Sequence, residues 1–483
     1  MMLWKKNDPQ NGKIGAVSLL NISRLLLLLG GLLLSGTTFA QTTGTDEDAF
    51  AIKRIHDLAL SEGAGFDWLQ YLTRRIGGRL SGSPQAAAAV EYTAQVLDTL
   101  GLDRVERQPV LVPHWVRGEP EVVRITQSVV GSVDLPALAL GGVSGTGPLG
   151  LSAEVIEVKS LDEVDELGEK VRGKIVFYNG PMDPTRRNTF AAYGAAGAQR
   201  VRGPERASKY GAVAAVVRSL TTRRDDIPHT GSAYFPDGIE RVPGFAISTN
   251  AADLLSRALQ SGPVTMYLRN TSHTLADKKS YNVIGEIRGS QYPDEIILVG
   301  GHLDSWDVGS GAHDDGTGCV QSMEVLRLLR LMEYPPKRTI RCVLFMNEEN
   351  GLRGGTEYAR VSNEAGEYHL AAIESDRGGF SPRGFTAEGA GDDFVQRLTR
   401  VTRHAALLEP YGLYFQTGGS GADIGPLKSQ GGLLFGLLPD DNRYFDYHHT
   451  PIDQPDVVNE RELQLGAAAM TSLVYLLDRY GLE

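Results

Sequence analysis

The stretch VGGHLDSWDVGSGAHDDGTGCV, Val299 to Val320, decides the fold. The run Glu295 to Val299 reads as an apolar strand, and a helical pattern begins near Gly318. The Gly-punctuated loop between them carries His302, Asp304, Asp307, His313, Asp314 and Asp315. Ligand-type side chains are therefore dense where a strand gives way to a helix, the usual position of a site in an open α/β sheet. Imidazoles and carboxylates packed this closely make a poor loop unless a cation neutralises them. Mixed His and carboxylate donors suit zinc or another first-row divalent ion.

Outward from this loop, strand and helix patterns alternate. Strand Tyr281 to Ile287 precedes it. The helix from Gly318 to Glu333, with Val320, Met323, Val325, Leu326 and Leu329 apolar, stops at Pro335-Pro336. Strand Thr339 to Met346, strand Leu370 to Ile373 and a last helix capped by Asn459 and Glu462 follow. This alternation predicts an α/β fold, a twisted, mostly parallel sheet covered by helices on both faces. Before it, helices open the chain: Thr45 to Asp48 has capping-box spacing, and Ser83-Pro84 caps a helix through Leu100. The Gly-rich segment Gly77 to Ser83 between them reads as a plain helix connection.

Residues 116–275 differ. Strand-like runs at Ala153 to Val158, Lys174 to Tyr178 and Val213 to Val217 alternate with turns, and the Arg- and Gly-rich segment Thr185 to Ser208 reads as a long surface loop. His229 stands alone, so the region reads as an inserted β-rich accessory domain rather than a second active site. The expected organisation is residues 1–40 as a leader, 41–115 and 276–483 as the catalytic domain, and 116–275 as the insertion.

In the leader, Lys5, Lys6, Lys13 and Arg24 precede the apolar run Leu25 to Leu34, and Thr38-Phe39-Ala40 supplies small residues for cleavage after Ala40. The competing reading, a membrane anchor, needs about 20 apolar residues. A secreted or periplasmic protein without a stable membrane anchor is expected. Removing the leader takes away four basic and one acidic residue and moves the net charge from −11 to −14, which excludes nucleic acid as a partner. Cys319 and Cys342, both among apolar neighbours, read as buried free thiols rather than a disulfide.

Four segments deliver carboxylates or imidazoles to strand ends on one edge of the predicted sheet. The central loop is joined by Asn347-Glu348-Glu349-Asn350-Gly351, by Glu374-Ser375-Asp376, and by Tyr444 through Pro451, which contains His448 and His449. Singly, a Glu pair at a strand end is a solvated surface feature and a double His a surface accident. Together, at equivalent topological positions, they point to a metal site.

The motifs GGHLDSWDVGSGAHDDG, NEENGLRGG, ESDRGG and YHHTPIDQPD, in this order and spacing, resemble those of the co-catalytic di-zinc exopeptidases. That group contains bacterial leucyl aminopeptidases and glutamate carboxypeptidase, and the similarity is greatest to its plasma glutamate carboxypeptidase branch. The resemblance covers the mature chain and implies the zinc exopeptidase fold with an inserted protease-associated domain. Val171 to Val176 and Ala207 to Val217 are similar to recurring pieces of that domain. It also implies two zinc ions per chain, one bound by His302 and Asp376, the other by Glu349 and His449, with Asp314 bridging. Either His448 or His449 fits the last ligand; His449, directly before Thr450, matches the family pattern better. His448 then becomes an electrophilic helper. Glu348 takes the role of general base, Asp304 accepts the other ring N–H of His302, and the Asp314–Asp315 peptide is cis.

The implied activity is hydrolysis of small unblocked peptides, of dipeptidase or carboxypeptidase type, with an aminopeptidase of the same mechanism as the alternative. A homodimer is implied as well. Arg377, beside a ligand Asp, is either a carboxylate clamp or half of a structural ion pair, and the loop Gly418 to Asp423 matches the family's substrate-pocket segment only loosely. Two other classes compete. A serine hydrolase would use Ser420, His449 and Asp440 or Asp441, but Ala422 breaks the nucleophile-elbow pattern. A binding protein on an inactive peptidase scaffold conflicts with the retention of every expected ligand and of the base.

Overall fold

The computed structural model describes residues 46–482. The leader and Thr45 of the first helix cap lie outside them. One sheet runs, edge to edge, through Arg104–Val116, His273–Ile287, Arg338–Phe345, Tyr292–His302, Tyr368–Glu374, Leu433–Pro439, Pro382–Gly389 and Tyr414–Thr417. Strands 338–345, 292–302, 368–374 and 433–439 are mutually parallel, and antiparallel neighbours flank them at 273–287 and 382–389.

The sequence pattern of the central strands explains why both faces are covered. Arg338–Phe345 is buried along its whole length, as a strand with helices on either side must be. Alternate residues then serve two cores. Ile297, Val299, Ile340, Cys342, Leu344 and Ile373 pack on one face against Met323, Leu326, Met470, Leu473 and Leu477 of helices Thr317–Leu331 and Glu460–Tyr480. Leu298, Val343, Phe345 and Ala372 pack on the other against Tyr358 and Ala359 of helix Arg353–Ala365. Cys319 and Cys342 are buried and free.

A second eight-stranded sheet is built within residues 122–269, in the order Val133–Asp134, Val122–Gln127, Thr265–Arg269, Leu151–Val158, Ile175–Tyr178, Ala214–Arg218, Gly244–Ile247, Ala137–Ala139. It has its own cores, with Phe177, Val216, Phe245 and Leu255 on one face and Val176, Tyr178, Ala215 and Val217 on the other. The segment Thr185 to Ser208 is not a surface loop. It holds helices Thr189–Ala196, Ala198–Val201 and Gly203–Lys209, the first capped by the Asn188 side chain on the Ala191 amide. Its glycines and arginines suggested a loop, but the intervening alanines favour helix, and Phe190 and Tyr193 find partners in Tyr444 and Phe445 across the molecule. Among the described residues no helix is long and apolar enough to cross a membrane.

Candidate metal centre

Parallel strands bring their carboxyl ends to one edge, and the predicted residues meet there. Tyr292–His302 ends on His302 and runs into the loop. The loop closes in the turn Ala312–Gly316, entered through Gly311 at φ 58°, which places Asp314 before helix Thr317–Leu331. The Asp314–Asp315 peptide is cis. Arg338–Phe345 leads through Asn347, held at φ 77°, to Glu348 and Glu349. Tyr368–Glu374 leads to Asp376, and Leu433–Pro439 leads through helix Tyr444–Tyr447 to His448 and His449, the latter at φ 62°.

Asp314 stands between two groups. Its Oδ1 is 3.2 Å from His302 Nε2, which in turn is 3.5 Å from Asp376 Oδ1. Its Oδ2 is 3.4 Å from His449 Nε2, which is 3.0 Å from Glu349 Oε2. The ligand atoms of His302, Asp314 and Glu349 lie within 4.8 Å of one another, as do those of Asp314, His448 and His449. His448 is farther out, its Nε2 3.8 Å from Asp314 Oδ2, with its ring stacked on His449 at 3.5 Å between centroids.

The remaining acids and imidazoles of the loop have other duties. Asp315 accepts the amides of His302 and Gly318. Asp307 pairs with Arg117 at 2.7 Å. His313 accepts the Gly379 amide and stacks on Phe380. Asp304 departs from its expected role: His302 Nδ1 meets the Asp304 backbone carbonyl at 3.0 Å, while the carboxylate accepts the amides of Asn347 and Glu348. The ring is oriented as expected, but by a main-chain oxygen, which frees the carboxylate to brace the turn carrying Glu348.

The electrostatics call for positive charge. Burial pushes Glu349 well above the usual carboxyl range, with Asp314 adding to the rise. Burial also lifts Glu348 to about 8, against the pull of His302 and with the help of Asp376 and Asp314. His302 moves well above the usual imidazole value because hydrogen bonds to Asp314 and Asp376 overcome its burial. Burial alone would raise Asp314, yet its hydrogen bond with His302 and the nearby imidazoles hold it below the usual range. Its Oδ2 is buried without a hydrogen-bond donor among the described residues. Carboxylates crowded out of water are costly unless paired or coordinated. This oxygen and nitrogen donor set, with one oxygen of Asp314 left without a donor, fits a divalent metal centre.

Several supports were not evident in the sequence. Arg79, from the segment read as a plain connection, is fully buried and donates to the carbonyls of Leu303, Ser310 and Gly311. It therefore holds the loop's backbone in place. Asp453, also fully buried, accepts the amides of His313 and Asp314. His229 is not isolated: its Nδ1 is 2.9 Å from the His448 carbonyl. Thr230 donates its amide to the His449 carbonyl, and its own carbonyl lies 3.3 Å from His449 Nδ1. Ser232 donates to the Glu349 carbonyl. Residues 229–232 thus grip the segments that carry Glu349 and the His448–His449 pair, and they hold the left-handed backbone of His449. Only residue type separates such a clamp from an ordinary loop, and Thr and Ser carry no signal.

Ser420 donates to Glu388, at 2.9 Å, rather than to an imidazole, so no serine triad forms. Arg377 stacks on Phe190 and lies 3.7 Å from Asp441. With Phe190, Asp376, Ser420, Gly421 and Leu437 it lines a cavity of about 280 Å³ that reaches the centre along Asp376.

Comparison with known proteins agrees with this arrangement. Residues 282–474 match the model of peptidase family M28. The chain is 34% identical over 419 residues to carboxypeptidase Q of Bos taurus, covering 86% of each protein. It is 33% identical over 431 residues to that of Homo sapiens, covering 88% of each. The crystal structure of a peptidase M28 precursor from Shewanella amazonensis superposes with a TM-score of 0.84 at 33% identity, over 90% of this chain and 97% of that one. An aminopeptidase from Aneurinibacillus sp. strain AM-1 shares the fold, with a TM-score of 0.61 at 21% identity over 88% and 95% of the two chains. With a buried cluster of His, Asp and Glu at the strand ends and this extent of similarity, the chain belongs to peptidase family M28 and is a metallo-exopeptidase.

Proposed function

We propose that the protein hydrolyses small unblocked peptides at a centre of two zinc ions, with dipeptidase or carboxypeptidase specificity. One observation carries the reading: the two oxygens of Asp314 face different partner sets, His302 with Asp376 and His449 with Glu349. Bound there, the ions would supply Lewis-acid polarisation of the scissile carbonyl and a water of lowered pKa.

The chain's own residues do the rest. Glu348 is the general base: it follows the strand end next to Glu349, it is only partly buried, and Asp304 fixes its amide. It takes the proton from the attacking water and returns it to the leaving amine. Zinc charge in place would draw its pKa down from about 8 into the range that suits a base at neutral pH. His448, with its Nδ1 unpartnered among the described residues and its Nε2 toward Asp314, is placed to donate to the developing oxyanion. Similarity along most of the chain to proteins named carboxypeptidase Q supports release from the carboxyl end.

Glu348→Gln keeps the size and the amide contacts of the base but cannot accept the proton. Turnover should fall by about 100-fold to 10,000-fold, with zinc content unchanged. Full activity in that variant would remove Glu348 from the mechanism.

A further inference from the structure

We propose that a cavity at the carboxyl ends of the second sheet's parallel strands, outside the metal centre, binds a free acidic amino acid through Arg218, Arg224 and Asp253. Binding there does not depend on the peptidase chemistry above.

Three neighbouring parallel strands end at this cavity. Lys159 follows Leu151–Val158, Asn179 follows Ile175–Tyr178, and Arg218 closes Ala214–Arg218. The crevice beyond the carboxyl ends of such strands is where open α/β sheets take their ligands. The volume is about 490 Å³, inside the range of roughly 300–1,000 Å³ for small-molecule sites. The cations Lys159, Arg218, Arg223 and Arg224 line it against a single acid, Asp253. In a chain of net charge −11 the local balance of charge is inverted.

These cations keep donors for a ligand. Arg218 Nη1 donates to Asp253 at 2.7 Å and to Asn179 at 3.2 Å. The side chain is only 11% exposed, yet its Nε and Nη2 have no hydrogen-bond partner among the described residues. Arg224 is exposed and has neither a hydrogen bond nor an ion pair among them. Lys159 and Arg223 pair with Glu157 and Asp225, but both acids are much less exposed than their partners and neither lines the cavity. The face met by a ligand is therefore cationic. Asp253 gives Oδ1 to Arg218, and its Oδ2 has no donor among the described residues.

The chemistry of the open groups defines the ligand. The N–H bonds of Nε and Nη2 lie on one side of a guanidinium and match a carboxylate in two-point geometry. A second carboxylate finds Arg224 in the same cavity, and the open oxygen of Asp253 suits an ammonium. Two carboxylates and one ammonium on a small frame describe an acidic amino acid, a product that hydrolysis of acidic peptides releases. A plain anion such as phosphate would leave Asp253 unanswered, and a neutral amino acid would leave Arg224 so.

The test is calorimetry on the zinc-loaded full chain with L-glutamate, L-glutamine, glutarate and inorganic phosphate as probes. L-Glutamate should bind about 10-fold more tightly than L-glutamine, which lacks the second carboxylate, and than glutarate, which lacks the ammonium; that is the loss expected for one hydrogen bond to a charged group. Arg224→Gln, which removes an exposed charge without touching the core, should weaken L-glutamate by about the same factor. Arg218→Lys, which keeps the charge but gives up the fork, should do so too. Zinc content and cleavage of a neutral dipeptide should be unchanged in both variants. No binding of L-glutamate, or equal affinity for L-glutamate and L-glutamine, would overturn the proposal. Binding that survives both variants belongs to the metal centre and would overturn it as well. Phosphate binding as tightly as L-glutamate would overturn it in favour of a plain anion site.

Discussion

At the scale of single residues, the chemistry of this protein depends on buried charges that are each answered by something specific. Arg79 illustrates the pattern. Its guanidinium is fully buried and holds three main-chain carbonyls of the loop between His302 and Asp314. Replacing it by Met keeps much of the bulk but leaves those carbonyls unsatisfied. Arg79→Met should cost about 3 kcal/mol or more and weaken zinc binding, read by denaturation with and without added zinc. A variant as stable as the wild type would show that the loop holds itself.

The residues that carry the proposed chemistry stood out in the sequence because four ligand-bearing segments end on one sheet edge and match a family pattern: His302, Asp314, Glu349, Asp376 and the His448–His449 pair converge in space, with Glu348 close enough to feel the charges of His302, Asp376 and Asp314. Arg79, Thr230 and Ser232 were not visible. Each acts through backbone groups, which leave no mark on residue spacing.

At the scale of elements, the parallel strands act as a set of aligned carriers whose carboxyl ends define the site, and helix Thr317–Leu331 must start almost in contact with them. Gly318 permits this. A Cβ there would lie 1.9 Å from the Ser375 carbonyl oxygen and 2.4 Å from Asp315 Oδ1. Gly318→Ala should push the helix start away from strand 368–374, separating Asp376 from the loop. We expect loss of zinc binding and a markedly lower Tm, and a variant with wild-type zinc affinity would contradict this packing. The alternation of apolar residues made the central strands and this helix legible in advance. The helices of 189–209 were misread because Gly and Arg hide an alanine-rich stretch whose stability comes from docking on Tyr444 and Phe445, a tertiary effect outside local propensity.

At the scale of the whole molecule, two sheets with separate cores cooperate at one centre, because residues 229–232 and 190–200 reach from the second sheet's segment to His448, His449 and Glu349. Stability as a whole has an acid limit set partly far from that centre. His56, stacked on Tyr411 at 3.7 Å with both ring nitrogens unpartnered among the described residues, is pushed down to about 4 by burial, against the weaker effect of Asp57. The folded state therefore resists a proton that the unfolded state accepts near pH 6.5. Stability is complete above about pH 6.5 and declines as pH falls toward 4, by about 1.4 kcal/mol per unit and about 3 kcal/mol in all. His56→Phe should flatten that part of the curve relative to the wild type at fixed zinc. Parallel curves for the two proteins would remove His56 as a cause.

The proposed bridging by the Asp314 carboxylate joins two metal positions. It is tested most directly by a zinc-binding isotherm of the wild type beside Asp314→Asn, which keeps the shape but gives up the bridging charge. About two ions per wild-type chain are expected, with loss of tight binding at both positions in the variant. A single ion in the wild type, or a variant that still binds two with unchanged affinity, would contradict it.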